Sequence, residues 1–574
     1  SMAEKIISPG VFTNEIDQSF LPAAVADIGA AIIGPTLKGP AGIPTIVTSF
    51  SDFQAKFGDV FKSGSDSVQF LTSHAAEEYL KNSNTLTVVR VMAEGTQGVG
   101  PATADITSQA ITAGATFASG SVTLGSELPS GSAHQLSVNG IDFIGVTSSS
   151  LFNDSATEVY VDLGNAIDNF GLNLANAIGV SSSLTTVSAS YVASSNLLQL
   201  SGSSTGVNTS TVVSSSISGN TQGIFSAITS PLEGGTNTTS TSTSFTLESM
   251  ADGTIMNNAD STATTNNILL SGSKHNIRYE VTSVNNKKGT FTLLVRAGND
   301  SQKRKQTLET FNNVSLDPNA TNYILKLIGD QKQTVRTDGT TKYLQLSGSY
   351  PNKSKFVRIK STLNTADYLD ENGSIRLNSL SSSLPAAGSG SSNGGFSGAT
   401  DGHCGFDALG NMNGDRGAGA INFYENITGT NSQGFNPTAA NDGLNAYTDA
   451  LDLLANQDEF DVNLILMPGI IDGEHTAVSA KAIDVCEDRA DCFTIIDPVV
   501  YGSTLSQATT RSEARDSNFA AMYWPWVKVP DSQLAGTQRW VPPSVVLGGV
   551  YAFNDRVAHP WFAPAGLNRG GITT

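Results

Sequence analysis

The chain is poor in cysteine, in charged residues and, above all, in basic residues. Of its 574 residues, three are cysteines and 14% are charged, and 32 Lys and Arg stand against 51 Asp and Glu, which gives a net charge of −19. Three cysteines cannot cross-link a small secreted scaffold, so the composition fits a reducing compartment. An acidic chain without basic blocks binds nucleic acid and anionic membranes poorly. We therefore expect neither as a partner.

Long apolar runs are also missing. The longest run near the start, residues 22–35, contains Asp27 and is too short to span a bilayer. No membrane insertion is predicted. Hydrophobic residues make up 39% of the chain, which is enough to form cores in a chain with room for roughly three to five domains.

Both ends of the chain alternate between helix and strand patterns. Residues 1–22 indicate an extended arm, because Pro9 and Gly10 interrupt any helix. We interpret residues 23–94 and 401–574 as two parts of one α/β domain, since short alternating helices and strands favour a mostly parallel sheet. The elements predicted there are a strand at 30–35, a helix through 53–57 capped by Ser51-Asp52, a strand at 462–467 stopped by Pro468-Gly469, a helix at 476–489, a strand at 493–496 and a helix at 545–553.

The middle of the chain has the pattern of β structure. Residues 95–262 hold short apolar stretches between Ser/Thr/Gly/Asn clusters, which indicates an inserted, variable domain of antiparallel strands on the outer surface. Residues 263–380 are predicted to form a second β-rich domain with a hairpin that turns at 285–289. The Ser/Gly-rich segment 381–400 is interpreted as a linker. The predicted fold class is mixed α+β: a split α/β domain with inserted antiparallel β domains.

Several residues resemble parts of enzyme sites, but each has an ordinary structural explanation. Asp497 follows a predicted parallel strand, where α/β enzymes bind ligands, yet Asp-Pro is also a common turn. Asp472 and Glu474 are candidates for an acid/base pair, although acidic residues also favour a helix N-terminus. Two alternatives stay open: an extracellular carbohydrate-binding or carbohydrate-cleaving protein that uses this acid/base pair, and a cytosolic α/β enzyme that uses Asp497.

Cofactor and metal motifs are not found. Cys404 follows His403 but lies on no strand-to-helix elbow, and Cys486 and Cys492 have no zinc-ligand spacing. The glycines at 414–419 follow no strand, and the sequence contains no Gly-Lys-Ser/Thr phosphate loop and no calcium loop. We predict no catalytic residue, no cofactor and no metal site, and we expect a protein that is not an enzyme.

The N-terminal arm carries apolar residues outside any predicted domain. Arms of this kind commonly pair with the edge of a sheet, in the same subunit or in a neighbour. The alternative is a disordered terminus. The candidate inter-subunit residues are Ile6, Ile7, Pro9, Gly10, Val11, Phe12, Glu15 and Ile16.

A further set of strings carries a resemblance to a known family. They are Ser8-Pro9-Gly10-Val11, residues 30–40, residues 50–58, residues 86–92, residues 309–318 and, most specifically, the string 561–570 that ends in Asn568-Arg569-Gly570. In these strings the chain resembles the sheath proteins of contractile tails in myovirus bacteriophages. The resemblance covers about residues 6–92, 275–360 and 401–574. It does not extend to residues 102–248.

The resemblance implies a structural subunit of the virion tail that assembles in the host cytoplasm. Sheath subunits form hexameric rings around the tail tube, and contraction of the rings drives the tube through the host envelope without nucleotide. The implied partners are other copies of the chain, the tail tube protein, and baseplate and neck or terminator proteins. Members of the family continue past the Asn-Arg-Gly string into a domain that contacts the tube. We therefore expect this chain to be a truncated fragment and monomeric.

Overall fold

The computed structural model describes residues 29–63, 66–95, 98–109, 111–112, 117–126, 134–151, 153–205, 213–217, 225–228, 230, 232, 239–258, 267–339, 341–370, 372–374, 383–387, 393–402, 427–530, 538–559 and 561–572. The predicted arm residues from Ile6 to Ile16 lie outside these ranges, as do Cys404 and residues 414–419. The chain divides into two compact units. Ser1–Ser108 with Thr243–Thr574 is called the major unit, and Gln109–Ser242 is called the inserted unit.

A six-stranded sheet, called the central sheet, lies in the middle of the major unit. Its first three strands come from residues 29–90 and its other three from residues 462–522. Thr45–Val47 is antiparallel to its neighbour, and the remaining strands are parallel to one another. Across the sheet the order is Thr45–Val47, Leu86–Arg90, Gly29–Gly34, Val462–Ile471, Phe493–Asp497 and Ala520–Met522.

Both faces of the central sheet are buried, which explains why its strands are almost continuously apolar. Ala30 and Ile32 pack in one hydrophobic core and Ala31 and Ile33 in another, because successive side chains of a strand point to opposite faces. Helices supply the other half of each core: Leu71–Leu80 and Pro543–Val557 on the first face, and Leu444–Leu454 and Thr476–Arg489 on the second. The predicted mixture of helices and several sheets is confirmed.

The N-cap of helix Phe50–Phe57 is Ser49, two residues before the predicted cap Ser51-Asp52. The hydroxyl of Ser49 accepts the backbone N–H of Asp52 at 3.2 Å, which satisfies one of the free donors of the first turn. Asp52 already lies inside the helix, where its carboxylate pairs with Lys56 at 2.8 Å. Gly58, with a φ of 73°, follows the last helical residue, Phe57, which is the predicted end of the helix.

Strand Val462–Ile471 continues through the predicted stop at Pro468-Gly469. The pairing with the neighbouring strand changes register between Leu466 and Ile471, so the irregular residues form a bulge instead of an end. The side chain of Gln433 donates to the carbonyl of Pro468 at 3.1 Å, and Ser432 Oγ donates to the carbonyl of Gly469 at 2.6 Å. The prediction that the strand ends at Pro468-Gly469 was wrong, because these side chains satisfy the carbonyls that the bulge leaves unpaired.

The other described strands of the major unit form smaller, antiparallel sheets. The predicted hairpin is confirmed: Ile277–Asn285 pairs with Thr290–Ala297, and Gly289 has the positive φ of 67° that the turn requires. The four-stranded sheets have the orders Thr307–Ser315, Thr290–Ala297, Ile277–Asn285, Asn393–Gly394 and Val357–Thr362, Thr243–Asp252, Val99–Thr107, Thr400–Asp401. Two-stranded sheets join Lys332–Asp338 to Thr341–Ser347, Phe61–Ser63 to Asp66–Val68 and Val527–Pro530 to Gln538–Val541.

The described residues of the predicted linker 381–400 belong to the folded body. Asn393–Gly394 is the edge strand beside Ile277–Asn285, and the side chains of Leu384 and Phe396 are each 1% exposed in the first hydrophobic core. The sequence did not predict that this segment packs in the core. Its two large apolar residues are twelve positions apart among serines and glycines, and they follow no strand or helix period.

Two fully buried arginines lie opposite each other in the hairpin. Arg278 and Arg296 are cross-strand neighbours with no exposed surface. Asp300 accepts two hydrogen bonds from Arg296, at 2.7 and 2.9 Å, and one from Arg278 at 3.3 Å. Glu280 accepts from Arg296 and from Lys305, each at 2.8 Å. This arrangement, called the arginine cluster, pairs charges that would be costly to bury alone.

The inserted unit contains two four-stranded sheets around its own core. Helix Ile167–Val180 packs into this core through Phe170, Leu174 and Ile178. The predicted antiparallel pattern holds with one exception, since Ile141–Val146 and Glu158–Asp162 are parallel. The sheets have the orders Glu158–Asp162, Ile141–Val146, His134–Val138, Val213–Ile217 and Val187–Val192, Leu197–Thr205, Phe117–Leu124, Phe225–Ser226, and a further pair joins Ile111–Thr112 to Thr239–Ser240.

The compact inserted unit is smaller than the predicted domain 95–262. Val99–Thr107 and Thr243–Asp252 pair with each other and with strands of the major unit, so they belong to the major unit although they flank the insertion in sequence.

The remaining described α-helices are short: Ser182–Thr185, Ile324–Leu327 and Leu505–Glu513. Within the described ranges, the helices fall short of the length and hydrophobicity that crossing a bilayer requires.

Candidate functional site

The carboxyl ends of the parallel strands form one edge of the central sheet. Ligands of α/β proteins commonly bind at this edge, and the sequence-predicted candidates Asp472 and Asp497 both lie there. The structure adds two residues that the sequence did not single out as candidates, Arg90 and His475.

Asp497, the last residue of its strand, holds the start of a helix. It is 1% exposed, and its carboxylate accepts the backbone N–H of Ser544 at 3.0 Å and the Ser544 hydroxyl at 2.6 Å. Ser544 lies in the first turn of helix Pro543–Val557, where free N–H groups favour an acceptor. Burial raises the pKa of Asp497 to about 7, although both hydrogen bonds oppose the rise. Asp497 is therefore a capping group rather than an isolated turn residue.

Asp472 is the centre of a buried ion-pair network. It has no exposed surface, and it accepts from Arg511 Nε, from Arg515 Nη2 at 2.6 Å and from Ser479 Oγ at 2.5 Å. Burial alone raises the pKa of Asp472, but the hydrogen bonds from Arg515, Ser479 and Arg511 outweigh burial and hold the pKa below its usual value. The network joins the end of strand Val462–Ile471 to helix Leu505–Glu513.

The environments of Asp472 and Glu474, the two candidates for an acid/base pair, are different. Glu474 is exposed, whereas Asp472 is buried and held by two arginines. A general acid near neutral pH needs a raised pKa, and the pKa of Asp472 is lowered. The sequence suggested the pair because the two residues are two positions apart, which says nothing about whether their environments match.

His475 is a buried neutral histidine at the same edge. It is 1% exposed, its Nδ1 accepts the backbone N–H of Ile471 at 3.0 Å, and its Nε2 lies 3.0 Å from the carbonyl of Thr428. Since Nδ1 accepts, Nε2 carries the proton and donates to Thr428. Burial lowers the pKa of His475 to about 4. The only signal in the sequence is a histidine beside Asp472 and Glu474 after an apolar strand.

Arg90 joins two backbone segments to the end of its strand. Its guanidinium donates to the carbonyls of Gly39 at 2.7 Å, Asp252 at 2.8 Å and Leu37 at 3.2 Å. Burial lowers its pKa to about 10, and the charge of Asp252 counteracts part of that effect. These contacts join the central sheet to strand Thr243–Asp252.

Neither protein-family models nor curated protein sequences match the chain.

The crevice between strands Gly29–Gly34 and Val462–Ile471 is the point where the strand order reverses, which is the usual ligand position in such sheets. Gln433 is 1% exposed and lies there: its amide oxygen accepts the N–H of Leu71, and its amide nitrogen donates to Pro468. Ser432, fully buried beside it, donates to Gly469. The backbone groups at this point thus bond to the segment that holds Ser432 and Gln433.

Cys486 and Cys492 are buried neighbours. Their sulfur atoms are 3.2 Å apart and are not joined by a disulfide. The hydrogen bond with Cys492 and burial raise the pKa of Cys486. Among the residues that the structure describes, no group of three or more His, Cys, Asp or Glu side chains is arranged to hold a metal ion.

The string with the most specific family resemblance, 561–570, is exposed. Trp561 is 76% exposed and Leu567 is 97% exposed. Trp561 stacks on His559 at 4.5 Å between ring centres, and Arg569 lies 4.7 Å over the ring of Phe562. Exposed aromatic and apolar side chains of this size favour an interface.

The aromatic segment 523–526 has mixed burial. Trp526 is 7% exposed and its ring N–H donates to the carbonyl of Val499 at 3.0 Å, whereas Trp524 is 41% exposed. Trp526 belongs to the first hydrophobic core.

Proposed function

We propose that the chain is a structural subunit of a phage contractile tail sheath, which assembles as hexameric rings around a tail tube and contracts to drive the tube through the host envelope. The single observation that carries the proposal is the exposure of Trp561 and Leu567 within the string of most specific resemblance. A residue that is large, apolar and exposed in a monomer has a physical reason to be present if another surface covers it in an assembly.

The described fold supports a subunit that moves as a rigid body. A split α/β domain with β insertions is the architecture that we propose, and polar groups at its sheet edge bond internally: Asp472 to two arginines, Asp497 to a helix start, and Arg90 to three carbonyls. In this proposal the work of contraction comes from the free-energy difference between two packings of the same subunit, so no catalytic residue, cofactor or metal takes part.

The proposed partners are other copies of the chain, the tail tube protein, and baseplate and neck or terminator proteins. We propose the arm residues Ile6 to Ile16 as a connection between subunits that survives the rearrangement. The proposed location is the virion tail, after assembly in the host cytoplasm.

Electron microscopy tests the proposal. The protein is purified alone and after co-expression with the tail tube protein, and both samples are imaged in negative stain. We expect striated hollow cylinders in at least one sample. Absence of any ordered polymer from both samples, together with binding or cleavage of glycans by the monomer, would overturn the proposal in favour of a carbohydrate-active protein.

A matched pair of variants tests the observation that carries the proposal. Trp561→Ala with Leu567→Ala removes the exposed apolar side chains of the string, and we expect loss of cylinders with an unchanged melting temperature. The control, Leu151→Ala with Leu270→Ala, removes apolar side chains that are 77% and 68% exposed elsewhere and should leave the cylinders intact. Equal behaviour of the two variants would argue against the string as a contact.

A further inference from the structure

A cation-rich groove of about 640 Å³ lies in the major unit. Its walls are the loop 38–46, strand Thr243–Asp252, the segment 351–358 and the hairpin of Lys332–Asp338 and Thr341–Ser347. The loop follows strand Gly29–Gly34, so the groove opens near the carboxyl edge of the central sheet. We call it the cationic groove.

The charge of the cationic groove is opposite to that of the chain. Two carboxylates, Glu248 and Asp252, are among its lining residues. In a chain with 32 basic and 51 acidic residues, six basic side chains around one groove form a concentrated positive potential. They are Lys38, Lys56, Lys332, Lys353, Lys355 and Arg358.

Lys38 lacks a charged partner although it is buried. It is 8% exposed, its backbone is fixed by hydrogen bonds with Phe57 and Thr36, and its ammonium forms no ion pair with a described residue. Burial lowers the pKa of Lys38 to about 8. A buried ammonium without a carboxylate is costly in the isolated subunit, and a ligand carboxylate that enters the groove removes that cost.

The other lining cations differ in how they are paired. Arg358 and Lys332 bond to Glu248, at 2.5 and 3.3 Å. Lys353 is exposed and, in the part of the chain described, pairs with no carboxylate. Lys56 and Lys355 share the carboxylate of Asp52, at 2.8 and 3.6 Å. Among the lining cations, Lys38 and Lys353 are therefore the two that form no ion pair with a described residue.

Apolar side chains lie between these charges. Ile46 is 52% exposed and Leu346 is 54% exposed, and both line the groove. A ligand that carries both carboxylates and an apolar side chain can contact the two kinds of surface together, whereas a small inorganic anion leaves the apolar walls uncovered.

An acidic turn elsewhere on the major unit supplies carboxylates for such a contact. Residues 456–461 contain Asp458, Glu459 and Asp461, and the half-buried Phe460 among them packs against the second hydrophobic core. The turn is fixed by a hydrogen bond from Phe460 N–H to the carbonyl of Asn456 at 3.1 Å, and its three carboxylates are exposed and form no ion pair with a described residue. We call it the acidic turn.

We propose that the cationic groove of one copy binds the acidic turn of a second copy, with a carboxylate of the turn paired to Lys38 and Lys353. The occupant is a second copy because the chain itself supplies both complementary surfaces. Such a contact joins two different patches, so it repeats head to tail and generates a ring or a helix. The inference rests on the proposed function in assigning this contact to the sheath.

Neutral variants of the two surfaces test the contact. The groove variant is Lys38→Met with Lys353→Gln, and the turn variant is Asp458→Asn with Glu459→Gln. Self-association of each variant and of the wild type is measured by sedimentation velocity at about 50 mM and about 500 mM NaCl, because screening weakens exposed charge pairs. We expect the wild type to associate at low salt. The dissociation constant for self-association of each variant alone should be larger by a factor of about ten or more.

Mixing the variants gives the decisive result. The groove variant keeps a working turn and the turn variant keeps a working groove, so an equimolar mixture should form one-to-one dimers and no longer species. Two monomeric variants that stay monomeric when mixed, or a wild type that does not associate at low salt, would overturn the inference.

Two controls distinguish loss of this contact from misfolding, and a further measurement distinguishes failure of this inference from failure of the sheath proposal. Lys287→Gln with Lys288→Gln removes two exposed charges outside the groove and should associate as the wild type does. Unchanged or higher melting temperatures of the groove variant show that it folds. If the groove variant still forms cylinders when it is co-expressed with the tail tube protein, the groove contact fails while the sheath proposal stands.

Discussion

At the scale of single residues, the sheet edge contains two buried ionisable groups whose effects on stability oppose each other. His475 is kept neutral and its pKa is lowered to about 4. Asp497 is kept protonated up to higher pH and its pKa is raised to about 7. All four tryptophans of the chain, at 524, 526, 540 and 561, lie in the major unit. Tryptophan fluorescence during urea unfolding therefore measures the unit that contains both groups.

His475 should make the protein less stable in acid. The unfolded histidine takes up a proton below about pH 6.5, but the folded one does so only near pH 4, so the unfolded state gains protons first and stability falls across that interval. We expect the wild type to lose about 2 kcal/mol more than His475→Gln between these pH values. His559→Gln, at an exposed histidine, is the control. Parallel curves for wild type and His475→Gln would contradict a neutral buried His475.

Asp497 should act in the other direction. The folded carboxyl binds its proton up to about pH 7, whereas the unfolded one releases it near pH 3.8, so stability is lost as the pH rises through this window. Asn at this position keeps an acceptor for Ser544 and does not titrate. We expect the free energy of unfolding of Asp497→Asn, relative to that of the wild type, to increase by about 1 kcal/mol per pH unit from pH 4 to 7. Asp458→Asn, at an exposed carboxylate, should show no such gain.

At the scale of elements, the arginine cluster shows how strongly burial decides the value of an ion pair. Asp300 and Lys305 each contact the cluster, but Asp300 is fully buried and the Lys305 side chain is 36% exposed. Asp300→Ala leaves two buried guanidinium groups with one carboxylate, and we expect a loss of about 3–5 kcal/mol in the free energy of unfolding. Lys305→Ala should cost about 1 kcal/mol or less. Similar losses in urea unfolding would show that the cluster is hydrated.

The elements also show which features a sequence can predict. Helix Thr476–Arg489 agrees with its predicted bounds, and strand Phe493–Asp497 differs by one residue, because periodic apolar residues and a short connection are local signals. The predicted strand at 462–467 is shorter than the observed strand Val462–Ile471, because the side chains that support the bulge come from residues 432 and 433. A proline is read as a stop unless the distant partners are known.

The same limit applies to the candidate site. The position of Asp497 at a strand end was predictable, but its role depends on Ser544, 47 residues later. The environment of Asp472 depends on Arg511 and Arg515, which no spacing rule connects to it. Contacts between residues far apart in sequence therefore decided the roles of these carboxylates.

At the scale of the whole molecule, charge is distributed unevenly. The chain is strongly acidic, yet one groove collects six basic side chains, and its most buried member, Lys38, has no carboxylate partner among the described residues. Net charge alone predicts mutual repulsion between copies. The local arrangement supplies the attraction that the cationic groove and the acidic turn are proposed to use, and the mixing experiment measures it.

The way in which the inserted unit joins the major unit has a practical consequence. The chain leaves through Val99–Thr107 and returns through Thr243–Asp252, and Thr107 and Thr243 are direct partners on adjacent antiparallel strands. The two junctions are thus separated by about one strand spacing, close to 5 Å. A tight turn can bridge that distance, and so can any foreign domain whose termini lie side by side. Residues 109–242 are a natural position for grafting, where a protein could be displayed without changing the frame that carries it.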